Sequence, residues 1–209
     1  QPSSINGRQH YIVHFKEFFR YCVSAGFMKI NPLESTSLKE RKNKKDKKVE
    51  TLDPKNMLKV LQNMDKKFQL VMEFAMQTGI RQGEQRALMW KHIDFDNRVV
   101  HIEQGFQEKV IGDVKTAASF RTVQLTDQMC KKLQLLKLKK GMPAHNSFVF
   151  TIKNNKPIAS KTFIANLYKA IKKSNLEKFK WHDLRHYFAS SLFNKFGKDF
   201  DTVTNMLGH

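Results

Sequence analysis

Residues 78–90 read TGIRQGEQRALMW. Gly79 can close a preceding helix with a positive φ, which turns the chain sharply and sets Arg81 at the start of the next helix. An arginine there stands beside backbone N–H groups left over at a helix start, where an anion would sit. Glu84 shares its helical face and can brace the guanidinium, while Leu88 and Trp90 face the core. Taken alone, the stretch is also an ordinary helix–turn–helix with exposed charges.

Upstream, TLDPKNMLKVL offers Asp53 as a cap and Pro54 at a first helical turn, where proline is tolerated. Helices are expected at about 54–63 and 66–78. Before them, residues 39–48 read KERKNKKDKK, with seven basic and two acidic residues and no apolar side chain. Such a segment buries nothing and reads as a solvated linker; a cationic strap lying along phosphates fits it too. Earlier still, Ile5, Tyr11, Ile12, Phe15, Phe18, Phe19 and Cys22 recur at helical spacing before Gly26, an amphipathic helix. Its aromatics suit a core or base stacking. Asn31 before Pro32 in NPLE ends that unit.

Downstream, RVVHIEQ at 98–104 alternates like a strand. KVIGDVKT and FRTVQL suggest a hairpin across Ala117–Phe120, with Lys115 near its tip. A hairpin lysine is ordinarily solvated, yet a mobile tip also lets an ammonium enter a groove and donate a proton. Helices are expected at about 127–139, 160–174 and 182–195, with a short one near 199–207. The fold class is mainly α with a small antiparallel β-sheet. No Gly-rich phosphate loop is present, which disfavours an ATP-driven enzyme.

The helix at 181–193, WHDLRHYFASSLF, sets His182, Arg185 and His186 on one side and Leu184, Phe188 and Leu192 on the buried stripe. His-Asp-x-x-His superficially matches a zinc signature, with His209 available as a third ligand. An arginine between the ligands and the short Asp183 weigh against zinc. A phosphate suits the group better: Arg185 offers a planar fork, and His182 can donate a hydrogen bond or move a proton near neutral pH.

The chain has 209 residues, 40% of them hydrophobic, enough for a packed core. Lys and Arg number 38 against 19 Asp and Glu, a formal charge of +19 spread along the chain. That balance points to a polyanion, and nucleic acid is favoured over a membrane surface because no apolar run approaches the roughly 20 residues of a span. Cys22 and Cys130 each fall on an apolar helix stripe and read as reduced core residues. The chain opens without Met and stops at NMLGH, and it reads as a fragment.

Four motifs in order, TGIRQGE, Lys115, HDLRH and LGH, resemble the tyrosine recombinase (phage integrase) family, whose catalytic domains carry T-G-x-R-x-G-E, a hairpin lysine, H-x-L-R-H and L-G-H. Together with the first helix, NPLE and the basic run, the resemblance covers essentially the whole chain. It implies the end of a helical core-binding domain at 1–34, a basic linker at 35–50 and a catalytic domain at 51–209, clamped around double-stranded DNA. It also implies a strand cut by a tyrosine through a 3′-phosphotyrosine, needing no nucleotide cofactor and no catalytic metal.

By that resemblance Arg81 and Arg185 clamp the phosphate, Lys115 protonates the leaving 5′-oxygen, His182 moves a proton and His209 donates to the phosphate. Glu84 and His186 support them. Lys39, Arg41, Lys42, Lys44, Lys45, Lys47 and Lys48 would run along the duplex. The resemblance further implies a homo-oligomer, a tetramer of the full-length protein on DNA, working in the cytoplasm of a prokaryotic host. The family's nucleophile lies about ten residues after the LGH histidine, a position that Tyr11, Tyr21, Tyr168 and Tyr187 do not match. These residues are therefore expected to bind DNA without cutting it by the family mechanism. Gln85 and Arg86 stand where the family more often has apolar residues. A catalytically silent DNA-binding protein and a type IB topoisomerase are the rival readings, with a zinc hydrolase behind them.

Overall fold

The computed structural model describes residues 5–36, 52–107, 110–113, 120–152, 156–197, 202–203 and 207. The expected linker cations Lys39 to Lys48, Lys115 and His209 lie outside the described residues. The chain divides into two compact units, Gln1–Lys47 and Lys48–His209.

The first unit holds α1 (Ile5–Ser24), which gives way to a turn with Gly26 at φ 76°. Asn31 is its one buried polar anchor among the described residues: its Nδ2 donates to Glu34 Oε2 at 2.9 Å, and its Oδ1 accepts the Leu33 N–H at 2.9 Å. The aromatic stripe of α1 is not a core. Tyr11, Phe15, Phe18 and Tyr21 are exposed, and Cys22 is only half-buried, so the reading of both cysteines as core residues holds for the buried Cys130 alone. The periodicity is correct; within this unit no described element covers the stripe.

The second unit is built on helices whose ends are written in the sequence. In α2 (Pro54–Asn63) the Asp53 carboxylate accepts the Lys55 N–H at 3.1 Å, and in α3 (Lys66–Thr78) Asp65 accepts the Lys67 N–H at 3.3 Å. Gly79 stops α3 in the left-handed region at φ 60°. α4 (Gln82–Ala87) follows at once, and then a 3-10 turn at Trp90–His92. α5 (Asp127–Lys139) is capped by Thr126, whose hydroxyl accepts the Met129 N–H at 3.2 Å. α6 (Ser160–Lys173) and α7 (Asp183–Phe196) complete the helices described in full.

Among the described residues, five short strands form two sheets. β1 (Ile93–Asp94), β2 (Val99–Ile102) and β5 (Arg121–Gln124) make an antiparallel sheet in the order β1-β2-β5, with Val100 opposite Val123 and Ile102 opposite Arg121. β3 (Gln104–Gln107) and β4 (Val110–Asp113) pair with each other, Phe106 opposite Ile111. The expected hairpin joining 109–116 to 120–125 is therefore corrected: β4 turns back on β3, and β5 returns to β2. A connection of two residues between β3 and β4 closes at less entropic cost than one spanning Lys115, and on β2 the strand β5 sets Val123 opposite Val100, both in the main core.

The main core gathers Met57, Met72, Phe74, Leu133, Phe163, Leu167 and Leu184, with the Trp181 ring edge-on to Phe163 at 4.8 Å. A second cluster of Phe188, Leu192, Val203 and Leu207 packs the far half of α7 against the last described residues. α7 thus joins both clusters, with Leu184 of its first turn in the main core and Phe188 and Leu192 in the second.

Candidate active site

The turn at Gly79 sets the site. Its left-handed φ brings the chain from α3 directly into α4 with Arg81 as the residue that opens the helix. A Cβ at Gly79 would lie 2.4 Å from Phe188 Cδ1 and 3.0 Å from Leu207 Cδ2, so the turn is pressed against α7 and the segment after it. Gly83 is pressed the other way: a Cβ there would lie 2.9 Å from the Phe106 carbonyl oxygen, which fixes α4 on β3.

Arg81 and Glu84 meet as their spacing suggests, the Arg81 N–H donating to Glu84 Oε2 at 2.9 Å and Arg81 Nη1 to Oε1 at 2.8 Å. A third residue completes the arrangement. Arg121, the first residue of β5, donates from Nη2 to Glu84 Oε2 at 2.7 Å and from Nη1 to Oε1 at 3.2 Å. One buried carboxylate therefore holds two guanidinium groups. Side-chain exposure separates their roles: Arg81 is 34% exposed and Arg121 4%, so of the two Arg81 can reach a ligand.

Arg185, on the first turn of α7, is buried behind them. Its Nη1 donates to the Gly79 carbonyl at 2.9 Å and its Nη2 to the Leu207 carbonyl. The sequence suggested an open fork; the structure shows each terminal nitrogen also holding a backbone carbonyl, one before Arg81 and one two residues before His209. Arg185 is thus both a cation and a tie between two strands of the site. His182 and His186 lie at the surface beside it, their rings edge-to-face at 5.1 Å. Asp183 turns away, its Oδ2 accepting the Lys180 N–H at 2.7 Å.

The charges act on one another. Burial raises Glu84, but the bonds and charge of Arg121, then the bonds from Arg81, outweigh it and hold the carboxyl below the usual carboxylate range. Burial first, then Arg81 and Arg121, push the Arg185 guanidinium down to about 10, still a cation at neutral pH. Burial, then the charges of His186 and Arg185, lower His182, which favours the neutral imidazole. Three arginines against one carboxylate leave an excess of positive charge in a partly desolvated place, suited to a phosphodiester and to the further negative charge that develops on it. Among the described residues no three His, Cys, Asp or Glu side chains are grouped to hold a metal ion.

The departures at Gln85 and Arg86 are accommodated. Gln85 is buried, and its Nε2 donates to the Val71 carbonyl at 2.7 Å. Arg86 donates from Nε to the Ile158 carbonyl at 2.8 Å and lies over the Phe106 ring at 4.5 Å. Sequence reading missed Arg121. Its signal was there: Arg121, Val123 and Leu125 share the inward face of an alternating strand, and a lone arginine on such a face needs a buried counter-charge.

Residues 50–209 match the phage integrase family. The chain belongs to that family. Its integrase-family relatives include a tyrosine recombinase XerC-like protein of Caldanaerobacter subterraneus subsp. tengcongensis, 25% identical over 93% of this chain and 56% of the relative. The integrase of Salmonella phage P22 is 29% identical over 71% of this chain and 38% of its own length. This chain therefore spans 56% or less of either relative. Among solved structures, the Tn1549 transposon integrase in complex with circular intermediate DNA superposes with a TM-score of 0.77 at 20% identity, covering 99% of this chain and 72% of that one. A lambda integrase dimer bound to a core site gives a TM-score of 0.67 at 19% identity, covering 98% and 72%. These likenesses establish the integrase-family fold.

Proposed function

We propose that this integrase-family chain grips a phosphodiester of double-stranded DNA during site-specific recombination, with strand cutting and rejoining through a 3′-phosphotyrosine. The observation that carries this reading is the convergence of Arg81, braced by Glu84, with Arg185, which is tied to the Gly79 turn before it, and with His182 at the surface beside them. In this reading Arg81 and Arg185 hold the non-bridging oxygens as the phosphorus becomes pentacoordinate. His182 moves a proton, Lys115 protonates the leaving 5′-oxygen, His209 donates to the phosphate, and His186 supports His182. The Lys39–Lys48 cations follow the backbone of the duplex. In this reading none of Tyr11, Tyr21, Tyr168 and Tyr187 is the nucleophile; Tyr168, with the Lys178 ammonium over its ring at 3.9 Å, and Tyr187, packed against the main core, are engaged elsewhere.

The named relatives are recombinases and integrases, which favours strand exchange over the strand rotation of a topoisomerase. Domain boundaries at 1–34, 35–50 and 51–209, a tetramer of the full-length protein on DNA and a cytoplasmic site of action belong to the same reading. No described helix is long and apolar enough to cross a membrane.

The test is single-turnover cleavage by the full-length protein of a nicked duplex carrying the DNA that flanks its gene. Arg81→Met is the cleaner probe, because Arg185 also ties the backbone. Cleavage should fall by about a hundred- to thousandfold, the usual loss on removing one preorganised donor. Binding should persist and weaken on the order of a thousandfold between about 50 and 200 mM salt as several phosphates are neutralised. Equal loss of cleavage and binding in Arg81→Met, or a flat salt profile, would overturn the reading.

A further inference from the structure

Nothing in the motif pattern assigns a role to Arg121, yet it is among the most buried charges described, and it is held by the same carboxylate that holds Arg81. Burying a guanidinium is costly unless its partner is well placed. Here both terminal nitrogens of Arg121 are used: both Glu84 oxygens accept from Arg121, at 2.7 and 3.2 Å, and the same two oxygens accept from Arg81, at 2.9 and 2.8 Å.

We propose that Arg121 is a positioning residue for strand cleavage, neutralising Glu84 from behind so that the charge of Arg81 remains available to the phosphate. The inference rests on the reading of this site as a phosphodiester site. Its logic is a count of charge. Arg81 and Glu84 alone form a neutral pair, and an incoming phosphate would meet a carboxylate bonded to the guanidinium meant to hold it. With Arg121 the three groups carry one net positive charge. The inward side of that charge is sealed by β5, so the exposed end of the cluster is Arg81. Gly105 completes the packing: a Cβ there would already touch the Glu84 backbone nitrogen at 3.6 Å, so β3 closes on Glu84 from another side. The carboxylate thus stays dry and its two bonds to Arg81 stay strong.

A purely structural arginine and one that offsets charge differ in how their loss depends on Glu84. Arg121→Gln keeps an amide donor and much of the length but removes the charge. In the single-turnover assay with the full-length protein, Arg121→Gln should cut the cleavage rate about a hundredfold, as expected for removing preorganised charge, while DNA affinity stays within about threefold. In the Glu84→Gln background the same change should cost less than about threefold, because no carboxylate remains to be offset. If Arg121→Gln does not fold, the comparison of Glu84→Gln with Arg121→Gln/Glu84→Gln decides alone, since the double variant leaves no buried charge without a partner between these two positions. A further tenfold loss in the double variant, or a folded Arg121→Gln that cleaves like wild type, overturns the inference. Arg81→Met in the same assay separates the two claims: if it cleaves normally the phosphate reading itself fails, and if it is inactive while Arg121→Gln is not, only the role of Arg121 fails.

Discussion

Gly79→Ala tests whether the turn before Arg81 is as tightly determined as its geometry says. Two costs are separable. An L-residue at φ 60° costs about 1–2 kcal/mol relative to glycine. The new Cβ would stand 2.4 Å from Phe188 Cδ1 and 3.0 Å from Leu207 Cδ2, both in buried residues of the second cluster, and repacking such a site costs about 1–3 kcal/mol. A stiffer unfolded chain returns about 0.4–1 kcal/mol. The net loss is about 1–5 kcal/mol, against the ~5–15 kcal/mol that holds a domain folded. Gly141→Ala is the control: its φ is 73°, but a Cβ there meets nothing within 4 Å, so it pays the backbone cost alone, about 1 kcal/mol. Urea unfolding followed by tryptophan fluorescence suits the measurement, because the chain's two tryptophans, Trp90 and Trp181, both lie in the second unit. The midpoint of Gly79→Ala should fall well below that of Gly141→Ala with the slope unchanged. Equal midpoints would refute the close packing of the turn against α7, and with it the account of how Arg185 is held.

Glu84→Gln should destabilise the second unit by about 3–5 kcal/mol at neutral pH, because two guanidinium groups lose their shared counter-charge. Since the folded-state pKa of Glu84 lies below its unfolded value of about 4.3, this stability is present above that pH and is lost as pH falls toward the folded value. The gap between wild type and Glu84→Gln in urea midpoint should therefore close below about pH 4, and a gap that widens in acid would contradict the ion-pair account. His182, lowered by burial and by His186 and Arg185, should titrate below about 6.5 in a histidine NMR experiment and move upward when DNA supplies a phosphate; a free-protein midpoint above 6.5 would contradict the placement of the ring.

Much of this was legible before any coordinates. The caps at Asp53, Asp65 and Thr126 and the stop at Gly79 act within one turn of helix, so local sequence states them directly. The Arg81–Glu84 pair follows from a spacing of three on a helix, and the integrase-family resemblance followed from four short motifs in order. Strand pairing was not legible, because the alternation in 110–113 and 121–124 says which face is apolar but not which partner is chosen. The α1 aromatics show the same limit: helical spacing identifies a stripe, and only the neighbours decide whether it is buried.

For this integrase-family chain, sequence by itself determined the positions of most of the described helices, the strongly positive net charge and the Arg81–Glu84 pair, because caps, spacing and net charge are properties of neighbouring residues. Tertiary structure alone decided that Arg121 reaches Glu84 across 37 positions of chain and that Arg185 ties Gly79 to Leu207. Those contacts depend on which strand pairs with β2 and on α7 packing against the Gly79 turn, and long-range packing carries no local signature.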